Sequence, residues 1–172
     1  IKVGERSGGI EQSATWRVQG GYDKSGLVVG NPDDEVNSAP LCVDITVDVG
    51  QEARDLKAGM WISNHPVIFH PPKHMTGSTY IERVVARAIK ENIVLYASHT
   101  NLDSAPGGMS HRLGNLLGLK NVINLGQLEE CPDAGFGIAG DVLQEMFTLD
   151  YRLFVKQRLK LDVIRYCDPE RR

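Results

Sequence analysis

Between residues 60 and 97 the chain alternates between two hydrophobic periods, and that alternation restricts the fold more than any other feature. Met60 to Ser63 and Ile93 to Ala97 are short, nearly continuous apolar runs bounded by polar residues, the pattern of strands buried on both faces. Between them Ile81, Val84, Val85, Ala88 and Ile89 recur at i, i+3, i+4, i+7 and i+8, which is one face of an amphipathic helix running to about Asn92. Thr79 and Glu82 stand three apart at its start as a capping box. Strand, helix, strand at this spacing predicts βαβ units: an α/β protein with a largely parallel core sheet flanked by helices.

Neighbouring segments extend the pattern. Leu41 to Thr46 reads as a strand. A helix capped by Asp48, with Gln51 as the reciprocal partner, starts at Val49 and ends at Gly59. Met109, Leu113, Leu116 and Leu117 mark another helix, closed by Gly118. A last helix follows Thr148, with Tyr151, Phe154, Val155 and Leu159 inward, and Val163 to Tyr166 reads as a final strand. Glycines at 4, 8, 9, 20 and 21 interrupt the beginning of the chain. Residues 1–21 are therefore expected as an arm or irregular segment, and residues 22–172 as the α/β domain.

Strand ends carry the chemistry. Met60 to Ile62 runs into Asn64-His65-Pro66, and Ile93 to Ala97 into His99-Thr100-Asn101-Leu102-Asp103. In open α/β sheets ligands gather beyond the carboxyl ends of parallel strands, so Asn64, His65, His99 and Asp103 are expected to meet at one edge. Imidazole nitrogen and carboxylate oxygen suit zinc, manganese or iron, whereas calcium and magnesium prefer oxygen alone. Asp103, with two oxygens, could bridge two metals about 3.5–4 Å apart. His99 is either a ligand, a group that orients one, or a proton shuttle. His70 and His74, in the Pro71-Pro72-Lys73 loop, are read as exposed, and His111 as a surface or capping residue. Lys73 either meets an anionic substrate or is solvated.

Composition excludes several classes. A net charge of −3 and a charged fraction of 24% leave no basic footprint for nucleic acid. No apolar run approaches membrane-spanning length, so no membrane partner is expected. Cys42, Cys131 and Cys167 are widely spaced, without metal-knuckle or redox spacing, which fits a reducing, cytoplasmic setting; Cys42 reads as a small core residue. Gly135-Phe136-Gly137-Ile138-Ala139-Gly140 matches G-x-G-x-x-G, but Cys131-Pro132-Asp133 precedes it, so it reads as a glycine-rich strand rather than a dinucleotide fingerprint.

Taken in order, these residues resemble the YbgI / Nif-three-like family, the type-two GTP cyclohydrolase I homologues, from Tyr22 to about Pro169. Asp23, Ser25, Gly26, Leu27 and Gly30 match its opening W-D-N-x-G-L-x-x-G. Ser63 to Phe69 matches S-H-H-P-x-x-F, followed by Lys73 and Thr76. Tyr96 and His99 to Asp103 match Y-x-x-H-T-N-L-D, with Ala105, Gly107, Gly108, Leu113, Leu117 and Gly118 continuing. Gly135, Gly137 and Gly140 fit the family's glycine-rich strand.

The resemblance implies a ring-shaped homo-oligomer, usually a hexamer, with two divalent metals per subunit facing an internal cavity. His65 and Asp103 carry over as ligands. The first of the paired histidines is Asn64 here, a weaker oxygen donor, and the carboxyl-terminal G-H-x-x-x-E motif has no counterpart before Arg172. Three functional readings follow: a metal-dependent hydrolase acting on a nucleotide or small heterocycle, with His99 as its catalytic group; a metal-binding oligomeric module without catalysis; and an α/β domain whose histidines are purely structural.

Overall fold

The computed structural model describes residues 1–128 and 131–167. The chain's last residues, which fall within the expected 22–172 domain and include Pro169 of the resemblance, lie outside the described part. A four-stranded sheet forms the centre, in the order β1 (Gly26–Val29), β4 (Val94–Ala97), β3 (Met60–Ser63), β2 (Leu41–Cys42). β2, β3 and β4 are mutually parallel, while β1 runs antiparallel to β4. Cys42, Ile62 and Leu95 thus share one sheet, as the alternation of apolar runs requires.

Side chains alternate across this sheet. Trp61 and Leu95 point to the face covered by α2 (Val47–Asp55) and α3 (Tyr80–Lys90), where they pack with Ala53, Val84, Val85 and Ala88. Met60, Val94 and Tyr96 point to the opposite face and pack with Val3 and Val36. Both faces are covered, which explains why these strands read as continuous apolar runs. Ile89, at the edge of the α3 stripe, remains 58% exposed.

Val3 belongs to a helix. Residues 3–13, expected to be irregular, form α1 (Val3–Ser13) despite Gly4, Gly8 and Gly9. The helix is held from outside: Val3 N donates to Asp34 O and Gly4 N to Pro32 O. Tertiary packing has overridden poor intrinsic propensity.

Other boundaries also differ from expectation. The strand expected over 41–46 keeps only Leu41–Cys42, because Thr46, not Asp48, caps α2: its hydroxyl accepts from Val49 N at 3.2 Å. Gln51, expected to reach back to the cap, instead donates to Asp55. The helix stops at Asp55, and the left-handed residue after it is Lys57 (φ 53°) rather than a glycine. Gly59 packs closely on Val36, where a Cβ would meet Val36 Cγ1 at 3.2 Å.

Thr79 and Glu82 form the expected capping box, with Thr79 Oγ1 accepting from Glu82 N at 3.2 Å. The Glu82 carboxylate in turn accepts from Thr76 N, Ser78 N and Thr79 Oγ1. Burial works to raise its pKa, but these hydrogen bonds prevail and hold it at about 2. The loop before α3 is therefore wrapped around a carboxylate. Thr79→Ala is expected to cost about 1 kcal/mol by loss of the cap. Glu82→Gln should destabilise further at neutral pH but weaken less steeply on acidification from pH 4.5 towards 2, which urea unfolding across that range would register.

After β4 come α4 (Thr100–Ser104) and α5 (Met109–Leu116), with Gly118 at φ 72° ending the latter as expected. The glycine-rich stretch lies inside β6 (Cys131–Asp141), paired antiparallel with β5 (Lys120–Leu128), which upholds its exclusion as a nucleotide motif. The final helix, α6 (Thr148–Arg158), has no buried residue, so Tyr151, Phe154, Val155 and Leu159 are half-buried rather than in a core. Val163 to Tyr166 form no strand; Tyr166 lies under the Arg152 guanidinium, 3.7 Å from its ring centre. Among the described residues no helix is long and apolar enough to cross a membrane.

Candidate metal and proton-transfer site

Because β3 and β4 run parallel with Ser63 opposite Ala97, Asn64-His65 and Ser98-His99 leave the sheet side by side. The ladder continues one step further, with Ser98 N donating to Ser63 O and Asn64 N to Cys42 O. β1 runs the other way, and Gly26 pairs with Ala97. Asp23 and Ser25, just before β1, therefore arrive at the edge where the parallel strands end.

Asp23 is the hub. Its side chain has no exposed surface, and Oδ1 stands 2.6 Å from His99 Nδ1. Oδ2 accepts from Ser25 Oγ at 2.8 Å, from Thr100 N at 3.0 Å and from the Thr100 hydroxyl. Burial alone would raise its pKa, but the hydrogen bonds from Thr100, His99, Ser25 and the Lys24 backbone prevail and hold it at about 2. An ionised carboxylate only accepts, so His99 donates from Nδ1, which in the neutral imidazole leaves Nε2 as a lone pair.

His65 is arranged in the same way at the surface. Its Nδ1 lies 2.8 Å from Asp44 Oδ1, an exposed pair of little energetic weight that nevertheless orients the ring. The His65 and His99 rings meet edge to face with centroids 5.8 Å apart, and Phe69 stands against His99 at 6.3 Å. The Asn64 side chain spans the two parallel strand ends, its Nδ2 donating to Ser98 O at 3.0 Å.

Asp103 follows on α4, half-buried, and its carboxylate makes no hydrogen bond or ion pair with a described residue. Burial raises its pKa, the imidazoles of His99 and His65 oppose that, and the Asp23 carboxylate adds to it. Asp103 thus lies within electrostatic reach of both rings.

Imidazole nitrogen and carboxylate oxygen are donor types that divalent transition metals take. Two imidazoles have Nδ1 held by a carboxylate and Nε2 left over, as metal-binding histidines do, and a neighbouring carboxylate is uncommitted. The number of donors is small: among the described residues no three His, Cys, Asp or Glu side chains are gathered to hold a metal ion. His70 and His74 are exposed, as read from the sequence, and His111 is half-buried inside α5 with no capping role. Cys42 is half-buried rather than fully enclosed.

Sequence reasoning missed Asp23 and Asp44 as working residues. A signal existed for Asp23, a carboxylate just before a short apolar run at 26–29, but the antiparallel direction of β1 brings it to the site.

The class defined by fold and site is a mixed α/β protein with carboxylate-oriented histidines at the carboxyl edge of its parallel strands. The model of the Duf34/NIF3 (NGG1p interacting factor 3) family matches residues 1–172, and the chain belongs to that family. It is 31% identical over 158 residues to a Clostridium perfringens protein named GTP cyclohydrolase 1 type 2 homolog, covering 92% of this chain and 60% of that protein. A Clostridium acetobutylicum protein of the same name is 31% identical over 171 residues, covering 99% and 64%. The chain thus spans less than two thirds of the length of these curated relatives. The crystal structure of a Staphylococcus aureus hypothetical protein superposes with a TM-score of 0.88 at 22% identity, over 96% of this chain and 66% of that one, which is a likeness of fold. A Bacillus cereus protein related to NIF3 shares 31% identity with a TM-score of 0.70, over 74% and 35%.

Proposed function

We propose that this chain carries part of a divalent-metal site, for zinc, manganese or iron, serving a hydrolase-like reaction on a nucleotide or small heterocycle, of the GTP cyclohydrolase kind named in its relatives. His65 and Asp103 would hold the metal, with the Asn64 carbonyl as a weaker oxygen donor, and His99 would be the catalytic group. The observation that carries this reading is the buried Asp23–His99 pair beside the unpartnered Asp103 carboxylate. When bound, a divalent cation lowers the pKa of water and polarises the bond under attack.

The chain's own contribution is proton handling. Asp23 keeps the His99 proton on Nδ1, so Nε2 is free to take a proton from the attacking water. Asp23 then stabilises the resulting imidazolium until the proton passes to the leaving nitrogen. The proposal extends to a cytoplasmic homo-oligomer; three free cysteines and the large apolar side chains exposed on β5, β6 and α6 support it.

The scarcity of gathered donors favours a second reading, a metal-binding interaction module without catalysis. Turnover of GTP with added manganese or zinc separates the two. Wild type is expected to turn over GTP, and His99→Ala to lose about 10²–10⁴-fold in rate. Retained metal without turnover in wild type would leave the module reading in place.

A further inference from the structure

The α5 stripe of Met109, Leu113 and Leu116 has the spacing of a core-facing surface. In the structure the helix docks through a different face. Its buried residue is Gly114, which sits so close to β6 that a Cβ there would meet Ile138 Cδ1 at 2.4 Å. Docking through the glycine leaves Met109, Leu113 and Leu116 at 52%, 47% and 43% exposure on the far side. There they line an open cavity of about 420 Å³ with Ser110, Arg112 and Asp103. Single exposed apolar residues need no explanation, but an apolar wall that runs up to the candidate site does.

Two charges decide what fits. The Arg112 guanidinium makes no hydrogen bond or ion pair with a described residue, and neither does the Asp103 carboxylate. A purely apolar partner covering this wall would strand both charges out of water at considerable cost. A flat ring with an anionic group covers the wall and meets Arg112 at once, and the Met109 thioether is well suited to an aromatic face. The volume lies in the range of small-molecule sites.

We propose that this cavity binds a nucleotide, with the base lying on Met109, Leu113 and Leu116 and a phosphate meeting Arg112, so that the base is presented to Asp103. This rests on the hydrolase reading of Asp103 and deepens it by assigning the substrate's ring and phosphate to particular residues.

The test is calorimetric titration of wild type, Arg112→Ala and Leu113→Ser with guanosine monophosphate, guanosine and inorganic phosphate, with manganese present and with it omitted. Both substitutions are at exposed positions, and a thermal melt checks that each variant folds. Arg112→Ala is expected to weaken guanosine monophosphate about tenfold or more while leaving guanosine unchanged. Leu113→Ser is expected to weaken both, and phosphate alone should bind poorly everywhere. Metal content of the same samples separates this proposal from the reading beneath it. The expected pattern in protein that retains no metal after manganese is supplied would support the cavity assignment and overturn the metal-dependent reading. Retained metal with nucleotide binding equal in all three proteins would overturn the cavity assignment alone. Unchanged nucleotide binding in a Leu113→Ser protein that sediments as a smaller species would also overturn it, identifying the wall as a contact between copies of the chain.

Discussion

Asp103→Ala is expected to abolish retained divalent metal, while His74→Ala leaves it at the wild-type level. The contrast follows from place, not residue type. Asp103 is a half-buried carboxylate without a partner, set among His99, His65 and Asp23, so its oxygens are available to a cation and nothing else among the described residues uses them. His74 is an exposed residue of the loop before α3, on the rim of a separate cavity. Two protein ligands are few for zinc, whose sites hold at least three and fill the remainder with water or substrate. Removing one of so few should therefore drop occupancy below detection in elemental analysis of dialysed protein. Equal metal in wild type and Asp103→Ala would end the metal reading.

Asp23→Ala is expected to destabilise the fold strongly. It leaves Thr100, Ser25, the Lys24 amide and the His99 ring without their shared acceptor inside the fold. Breaking a buried charged network costs about 3–5 kcal/mol, a large part of the 5–15 kcal/mol typical of a whole domain. For a chain of this size, that lowers the thermal midpoint by roughly 10 °C. Asp23→Asn tests the charge separately. The folded pKa of about 2 lies below the unfolded value, so this carboxylate contributes stability that is complete above pH 4 and fades as the pH falls towards 2. Its share is on the order of 2 kcal/mol. Asp23→Asn should thus start less stable at pH 7 and lose less between pH 4 and 2. Parallel acid-unfolding curves for wild type and variant would refute the hub role.

What could be read in the sequence divides according to the range of the interaction that decides it. The β3–α3–β4 unit was legible because its parts are local: apolar runs of strand length, an uninterrupted helical stripe and a complete capping box from Thr79 to Glu82. α1 was not, since its glycines argue against a helix and contacts to Pro32 and Asp34 hold it. The start of α2 was misplaced by two residues because Thr46 and Asp48 are both good caps, and only the backbone of Thr46, extended at ψ 172°, makes it the one used.

By itself the sequence determined the α/β architecture, the family and the edge of the sheet from which Asn64-His65 and His99 leave their strands. Period and spacing carry that information along the chain, and parallel strands put consecutive carboxyl ends together. Only the tertiary structure decided what these residues are joined to. The antiparallel insertion of β1 delivers Asp23 to His99 from far along the chain, and the docking of α5 through Gly114 turns a core-like leucine stripe into the wall of an open cavity. Neither strand direction nor the face a helix buries is written in hydrophobic period alone, because both depend on which surface the rest of the chain has already covered.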